Sequence, residues 1–220
     1  SGFTLAEIMI ALTVVGVVSA LVIPPLITQI ENIQFKMAWK RDYAMLSQAI
    51  TLLIRDKNEN LAIFTSKDSV IDNLKNYLIY SKLCSSSVNT GQCWHPDNTW
   101  KTLHGLIMPS PYLSFGGGSY ANGLILNNGT LVYVYDFYYQ YCSVNYGYCA
   151  WLGVDVNGFK EPNVIGRDIY GIYLQKNKVK PVGTTESSLF FTQTCYEYGD
   201  PNWSNANNSG WGCSTRYLKE

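Results

Sequence analysis

Residues 1–30 read SGFTLAEIMIALTVVGVVSALVIPPLITQI, and this stretch decides the fold. Positions 3–30 hold 28 residues and a single charge, Glu7. At about 1.5 Å per residue, a helix of roughly 20 such residues crosses the hydrocarbon of a bilayer. The stretch lacks a basic start and is too long for the apolar region of a secretory signal, so a membrane-anchoring helix is the expectation. A plain anchor does not account for Glu7. A carboxylate within a membrane span costs at least about 2.5 kcal/mol, and such residues usually have a role. With Phe3 as the first residue after processing, Glu7 lies one helical turn on, facing the side of a free α-amino group. Amine and carboxylate then neutralise each other, within one chain or between neighbours in a stack.

Gly16, Pro24 and Pro25 interrupt the same run. Each proline lacks an N–H and clashes with the carbonyl four residues back, here those of Ala20 and Leu21. Gly16 lies among valines and lowers helix propensity further. A kink is expected there, and a loss of helix over residues 16–25 wherever neighbouring helices pack around the chain and shield the freed backbone groups. Beyond Ile30 charges mix with apolar residues at helical spacing, and Leu46, Ile50, Leu53 and Ile54 share one face. The helix is therefore expected to continue amphipathically to about residues 58–60. Three regions follow: 1–30 apolar helix, 31–60 amphipathic continuation, 61–220 head. Within the head, residues 61–66 read as a connection and 67–83 as a second, shorter helix.

The opening Gly2-Phe3-Thr4-Leu5-Ala6-Glu7, with its apolar run and Pro24, resembles the N-terminus of type IV pilins and type II secretion pseudopilins. The resemblance covers roughly the first 55 residues. It implies that a prepilin peptidase cuts after Gly2 and methylates Phe3, and that Glu7 sets subunit register in a filament. The numbered chain still carries Ser1 and Gly2, which that processing would remove. The implied partners are the membrane before assembly, the pilus assembly machinery, and copies of the chain itself in a helical filament. The implied localisation is the inner membrane with the head outside the cytoplasm, then the cell surface. Lys36, Lys40 and Arg41 follow the span, and by the positive-inside rule alone would hold the head in the cytoplasm. The cysteines argue the opposite, and a leader of the family's kind would carry competing basic residues.

All six cysteines, Cys84, Cys93, Cys142, Cys149, Cys195 and Cys213, lie in the head. An even number confined there fits disulfides formed in an oxidising compartment. Proximity favours 84 with 93, 142 with 149 and 195 with 213, among fifteen pairings; free thiols or zinc ligands are the alternatives. No CxxC pair occurs, and neither His95 nor His104 has metal-ligand spacing to a neighbour. The loop from Cys195 to Cys213 resembles the disulfide loop that pilins close near their C-terminus.

The head otherwise reads as β structure and loops. Residues 123–135, GLILNNGTLVYVY, place two β-prone runs around Asn127-Asn128-Gly129, the mark of a hairpin with a type I′ turn. Residues 150–156, 168–174 and 189–196 read as further strands. The expected fold class is α+β, with a four-to-five-strand antiparallel sheet packed on the upper half of the long helix, as in pilin heads. Gly116-Gly117-Gly118 reads as a turn, since no lysine or helix start follows at phosphate-loop spacing. Between strands, Asp155, Asn157, Glu161, Asn163 and Asp168 crowd a Gly/Pro-rich loop. They read either as oxygen ligands for calcium or as a turn stitched by Asx hydrogen bonds. Tyr133, Tyr135, Phe137, Tyr138, Tyr139, Tyr141, Tyr146 and Tyr148 suggest a covered aromatic face, a subunit contact or a carbohydrate-stacking surface.

Acids and bases balance at 16 each, so no polyanion is drawn to the chain and nucleic-acid binding is not expected. No catalytic constellation stands out, and an enzyme is not expected. The sequence leads to a structural filament subunit. A type II pseudopilin and a membrane-tethered or tip adhesin are the alternatives.

Overall fold

The computed structural model describes residues 2–64, 66–84, 95, 99–107, 122–137, 142, 148–184, 194–196 and 209–220. Helix α1, Leu5–Asp56, is a single element of 52 residues. It opens on a capping box in which Thr4 and Glu7 satisfy each other's backbone N–H groups. It closes two to four residues before the expected end, in a Schellman motif. Asn58 takes a positive φ of 53°, its N–H reaches Arg55 O, and the Glu59 N–H reaches Ile54 O. Helix runs through Gly16, Pro24 and Pro25 without a break. The loss of helix expected for residues 16–25 concerns the packed filament, and the single chain does not show it. Adjacent prolines remove only the bonds to Ala20 and Leu21 O, and Thr28 Oγ1 donates back to Pro24 O at 3.2 Å.

The head is an antiparallel meander of six strands in chain order. The strands are β1 Tyr80–Cys84, β2 Gly123–Leu126, β3 Leu131–Phe137, β4 Ala150–Asp155, β5 Ile169–Leu174 and β6 Val179–Pro181. The hairpin and strands β4 and β5 stand, to within two residues, where the sequence placed them. The turn chemistry differs. Gly129 has a φ of 88°, but neither Asn127 nor Asn128 has a positive φ, and the Gly129 N–H bonds Leu126 O at 2.9 Å. This is a turn followed by a left-handed glycine bulge rather than type I′. The second helix is shorter than expected. Helix α2, Lys67–Leu74, gives way to a 3-10 turn at Lys75–Tyr77, and Tyr80 already pairs with β2. A third helix, α3 Cys213–Lys219, was not foreseen. Of the strand expected at 189–196, only 194–196 fall among the described residues, without strand structure. The Gly116–Gly118 turn and Tyr138, Tyr139, Tyr141 and Tyr146 lie outside the described residues.

Strands β4 and β5 are buried along their whole length, so both faces of the sheet are covered. On one face Leu152, Val154, Ile172 and Leu174 pack with Leu46, Ile50 and Leu53 of α1. On the other, Trp151, Tyr173, Tyr148, Tyr133, Trp100 and Trp211 form an aromatic cluster. Tyr148 stacks on Tyr173 with ring centroids 4.6 Å apart. Tyr133 and Tyr148 are thus core residues, as the covered-face reading expected. Gly153 makes room for this cluster, since a Cβ there would lie 2.0 Å from the Tyr133 ring.

Candidate functional site

The two halves of α1 meet different surroundings. From Leu5 to Ile30 essentially every side chain is exposed, and an 18-residue window of the helix reaches a mean hydropathy of 2.5 with none of it buried. From Trp39 to Ile54 the same helix buries Trp39, Asp42, Leu46, Ala49, Ile50, Leu53 and Ile54. The apolar half therefore projects from the head as a bare rod of about 39 Å, at 1.5 Å per residue. Fully covering a large aliphatic side chain is worth about 1.5–3 kcal/mol, so a rod of them is stable only in an apolar surround.

At the rod's tip the carboxylate of Glu7 turns back on Thr4. Oε2 accepts from the Thr4 backbone N–H at 2.8 Å and from its hydroxyl at 2.9 Å. The Thr4 hydroxyl in turn accepts from the Glu7 N–H at 3.3 Å. Helix begins at Leu5, so Phe3 stands before the cap rather than a helical turn below Glu7 on a continuous helix. Phe3 nevertheless lines one groove with Glu7, Ile8, Ala11, Leu12 and Val15. The structure thus brings Phe3 and Glu7 together. Gly16, Pro24 and Pro25 lie further along, on the same exposed stretch.

The head is fixed to the second half of α1 by polar contacts that the sequence did not announce. Asp42 is fully buried. Its Oδ2 accepts from Thr130 Oγ1 at 2.7 Å, and its Oδ1 accepts from Asn128 Nδ2 at 3.0 Å and Arg41 Nε at 2.8 Å. One acid thus ties the β2–β3 turn to the helix. The available sign was an aspartate on the apolar stripe, three residues after Trp39 and four before Leu46. Trp39 stacks on Tyr170 at 4.7 Å and donates from Nε1 to Ser214 O at 2.9 Å, anchoring α3. Lower on the helix, Arg167 reaches Asn32 and Glu31, and Lys36 pairs with Glu220 at 3.2 Å over the Tyr217 ring.

The disulfides Cys142–Cys149 and Cys195–Cys213 are formed as expected. Cys84 is also disulfide-bonded, while Cys93, its expected partner, lies outside the described residues. Such bridges fit an oxidising compartment.

The loop between β4 and β5 is built from its acids. Asp168 accepts from the Asn163 and Val164 N–H groups at 2.8 and 2.7 Å. Asp155 accepts from the Asn157 N–H at 3.2 Å and meets His95 Nε2 at 2.9 Å. Asn157 Nδ2 donates to the carbonyls of Lys160 and Glu161, and Glu161 itself is exposed. Within this loop the side-chain oxygens of Asn157 and Asn163 are buried without a hydrogen-bond partner. These contacts are the Asx-stitched turn of the two sequence readings. Among the described residues, no group of three or more histidine, cysteine or acidic side chains gathers as a metal site. Burial pushes the Asp155 carboxyl well above the usual range. Burial and the nearby charge of Asp155 push Asp168 up to about 7. Burial lowers His95, against the charge of Asp168. The His95–Asp155 contact is therefore favoured as a neutral hydrogen bond over an ion pair. His95 was passed over in the sequence because it has no ligand spacing; its partner lies 60 residues away.

No family model, curated protein or solved structure matches this chain.

Proposed function

We propose that the chain is a structural subunit of a bacterial type IV pilus-like filament that polymerises through its N-terminal helix. The observation that carries the reading is the contrast within α1: an exposed apolar half continuous with a half buried in a disulfide-stapled head. A bilayer supplies the apolar surround before assembly, and the rods of neighbouring copies supply it afterwards. Prepilin peptidase releases Phe3, and its free amine neutralises the Glu7 carboxylate of a neighbour. The Thr4 contacts hold that carboxylate at the rod's tip until then, leaving no bare charge in the bilayer.

Glu7→Ala is the test. The substitution removes the register charge and none of the apolar surface. The variant should insert in membranes at the normal level and form no ordered fibres by negative-stain microscopy. Normal fibres from Glu7→Ala would remove the register role and weaken the reading as a whole.

A further inference from the structure

The cations that follow the span sit uneasily with a head held outside the cytoplasm, and the structure gives them a place. Among the described residues, the lowest contacts between head and helix are those of Arg167 with Glu31 and Asn32, immediately beyond the apolar rod. Helix α3 runs antiparallel to α1: Ser214 meets Trp39, while Tyr217 and Glu220 meet Lys36. Its C-terminal end therefore points toward the rod. Lys36, Lys40, Arg41, Arg167, Arg216 and Lys219 are thereby gathered around the base of the head, where the carboxylates of Glu31, Asp42 and Glu220 pair with some of them. Lys40 and Lys219 are themselves exposed, and neither has a carboxylate partner among the described residues.

Distance along the helix puts this collar just beyond the headgroup zone. Lys36 and Lys40 lie about 9 and 15 Å beyond Ile30 at 1.5 Å per residue. The headgroup zone adds only about 5–8 Å to each side of the hydrocarbon. The rod, however, is about 10 Å longer than the hydrocarbon it crosses, and tilting, one of the ways a helix takes up such an excess, brings one flank of the base down toward the lipid.

We propose that this collar docks the head on anionic phospholipid headgroups before assembly, with Lys36, Lys40 and Lys219 facing lipid phosphates. The inference rests on the membrane stage of the function proposed above. It gives the juxtamembrane cations a role that does not set topology: they hold the head down, and release from the lipid is part of entering a filament.

The test uses the full chain reconstituted in vesicles of phosphatidylcholine alone, or with roughly 30% phosphatidylglycerol, and a membrane-impermeant amine-acetylating reagent. Peptide mass spectrometry reads the rate at each lysine, with Lys57 and Lys176 at the far end of the head as references. Acetylation of Lys36, Lys40 and Lys219 should slow on the order of five-fold in the anionic vesicles, the reference lysines staying unchanged. Salt at about 0.5 M should remove the difference, because it screens the attraction between the exposed lysines and the lipid surface. In the double variant K40E/K219E, Lys36 should lose its lipid-dependent protection while the protein still floats with vesicles. Equal rates in the two lipids, with the wild-type chain floating normally, would overturn the collar and leave the anchor intact. A chain that floats with neither vesicle would overturn the anchor, and the collar with it.

Discussion

The rod of residues 5–30 and the docked stretch of residues 39–54 are one helix with opposite fates. The docked half has its partners inside the chain: a sheet, α3, and hydrogen bonds that satisfy the acid on its buried stripe. The rod has similar greasy residues all round its circumference and no partner among the described residues. Burial along a helix is thus set by what the rest of the sequence brings to it, and a face without an internal partner awaits an external one.

Substitutions in the docked half should break the head. Trp39→Ala removes a buried indole that both stacks on Tyr170 and anchors α3. It should cost about 3–5 kcal/mol, read as a loss of the head's thermal transition in detergent. Gly153→Ala drives a methyl into the Tyr133 ring and should cost about 1–3 kcal/mol in denaturant unfolding of the same preparation. Asp42→Ala leaves the Thr130 hydroxyl and Asn128 amide without their acceptor and should cost a similar 1–3 kcal/mol. Hydrogen exchange should quicken first at the β2–β3 turn. By contrast, Leu12→Ala in the rod should leave the unfolding midpoint of the head unchanged. A shift as large as that of Asp42→Ala would mean the rod folds back on the head.

The buried acids of the β4–β5 loop add a smaller, pH-dependent effect. A carboxyl raised in the folded state contributes stability that is present below its unfolded value and is lost as pH rises through the folded value. For Asp168 that loss runs upward from its unfolded value of about 4 and levels off above about pH 7, and Asp155 acts in the same direction. His95, lowered in the folded state, acts oppositely, but only below its unfolded value of about 6.5. Between about pH 6.5 and 8 the carboxyls act alone, and the head should lose about 1 kcal/mol. Asp168→Asn should flatten that slope even though it weakens the turn, and an unchanged slope would place the titration elsewhere.

Much of this was legible because it is periodic or local. The rod is written in composition, the docked face in helical spacing, the hairpin in Asn-Asn-Gly between β-prone runs, and two disulfides in short spacings. What escaped depends on partners distant in sequence. Asp42 has its acceptor role fixed by residues 86 and 88 positions away. Strand β1 has four exposed residues of five and exists through pairing with β2, so it carries no alternation to read. Helix α3 is too short to form by propensity alone and is held by Trp39 and the Cys195–Cys213 bridge. The second cover of the sheet comes from aromatics scattered from Trp100 to Trp211, which no local pattern links.

The most direct measurement is flotation of the full chain, beside a form starting at Glu31, in a density gradient with preformed vesicles. A rod that must be covered from outside predicts that the full chain rises with the vesicles while the shortened form stays at the bottom, its head folded. A full chain that remains monomeric in the aqueous fractions, with residues 5–30 intact and helical, would contradict it.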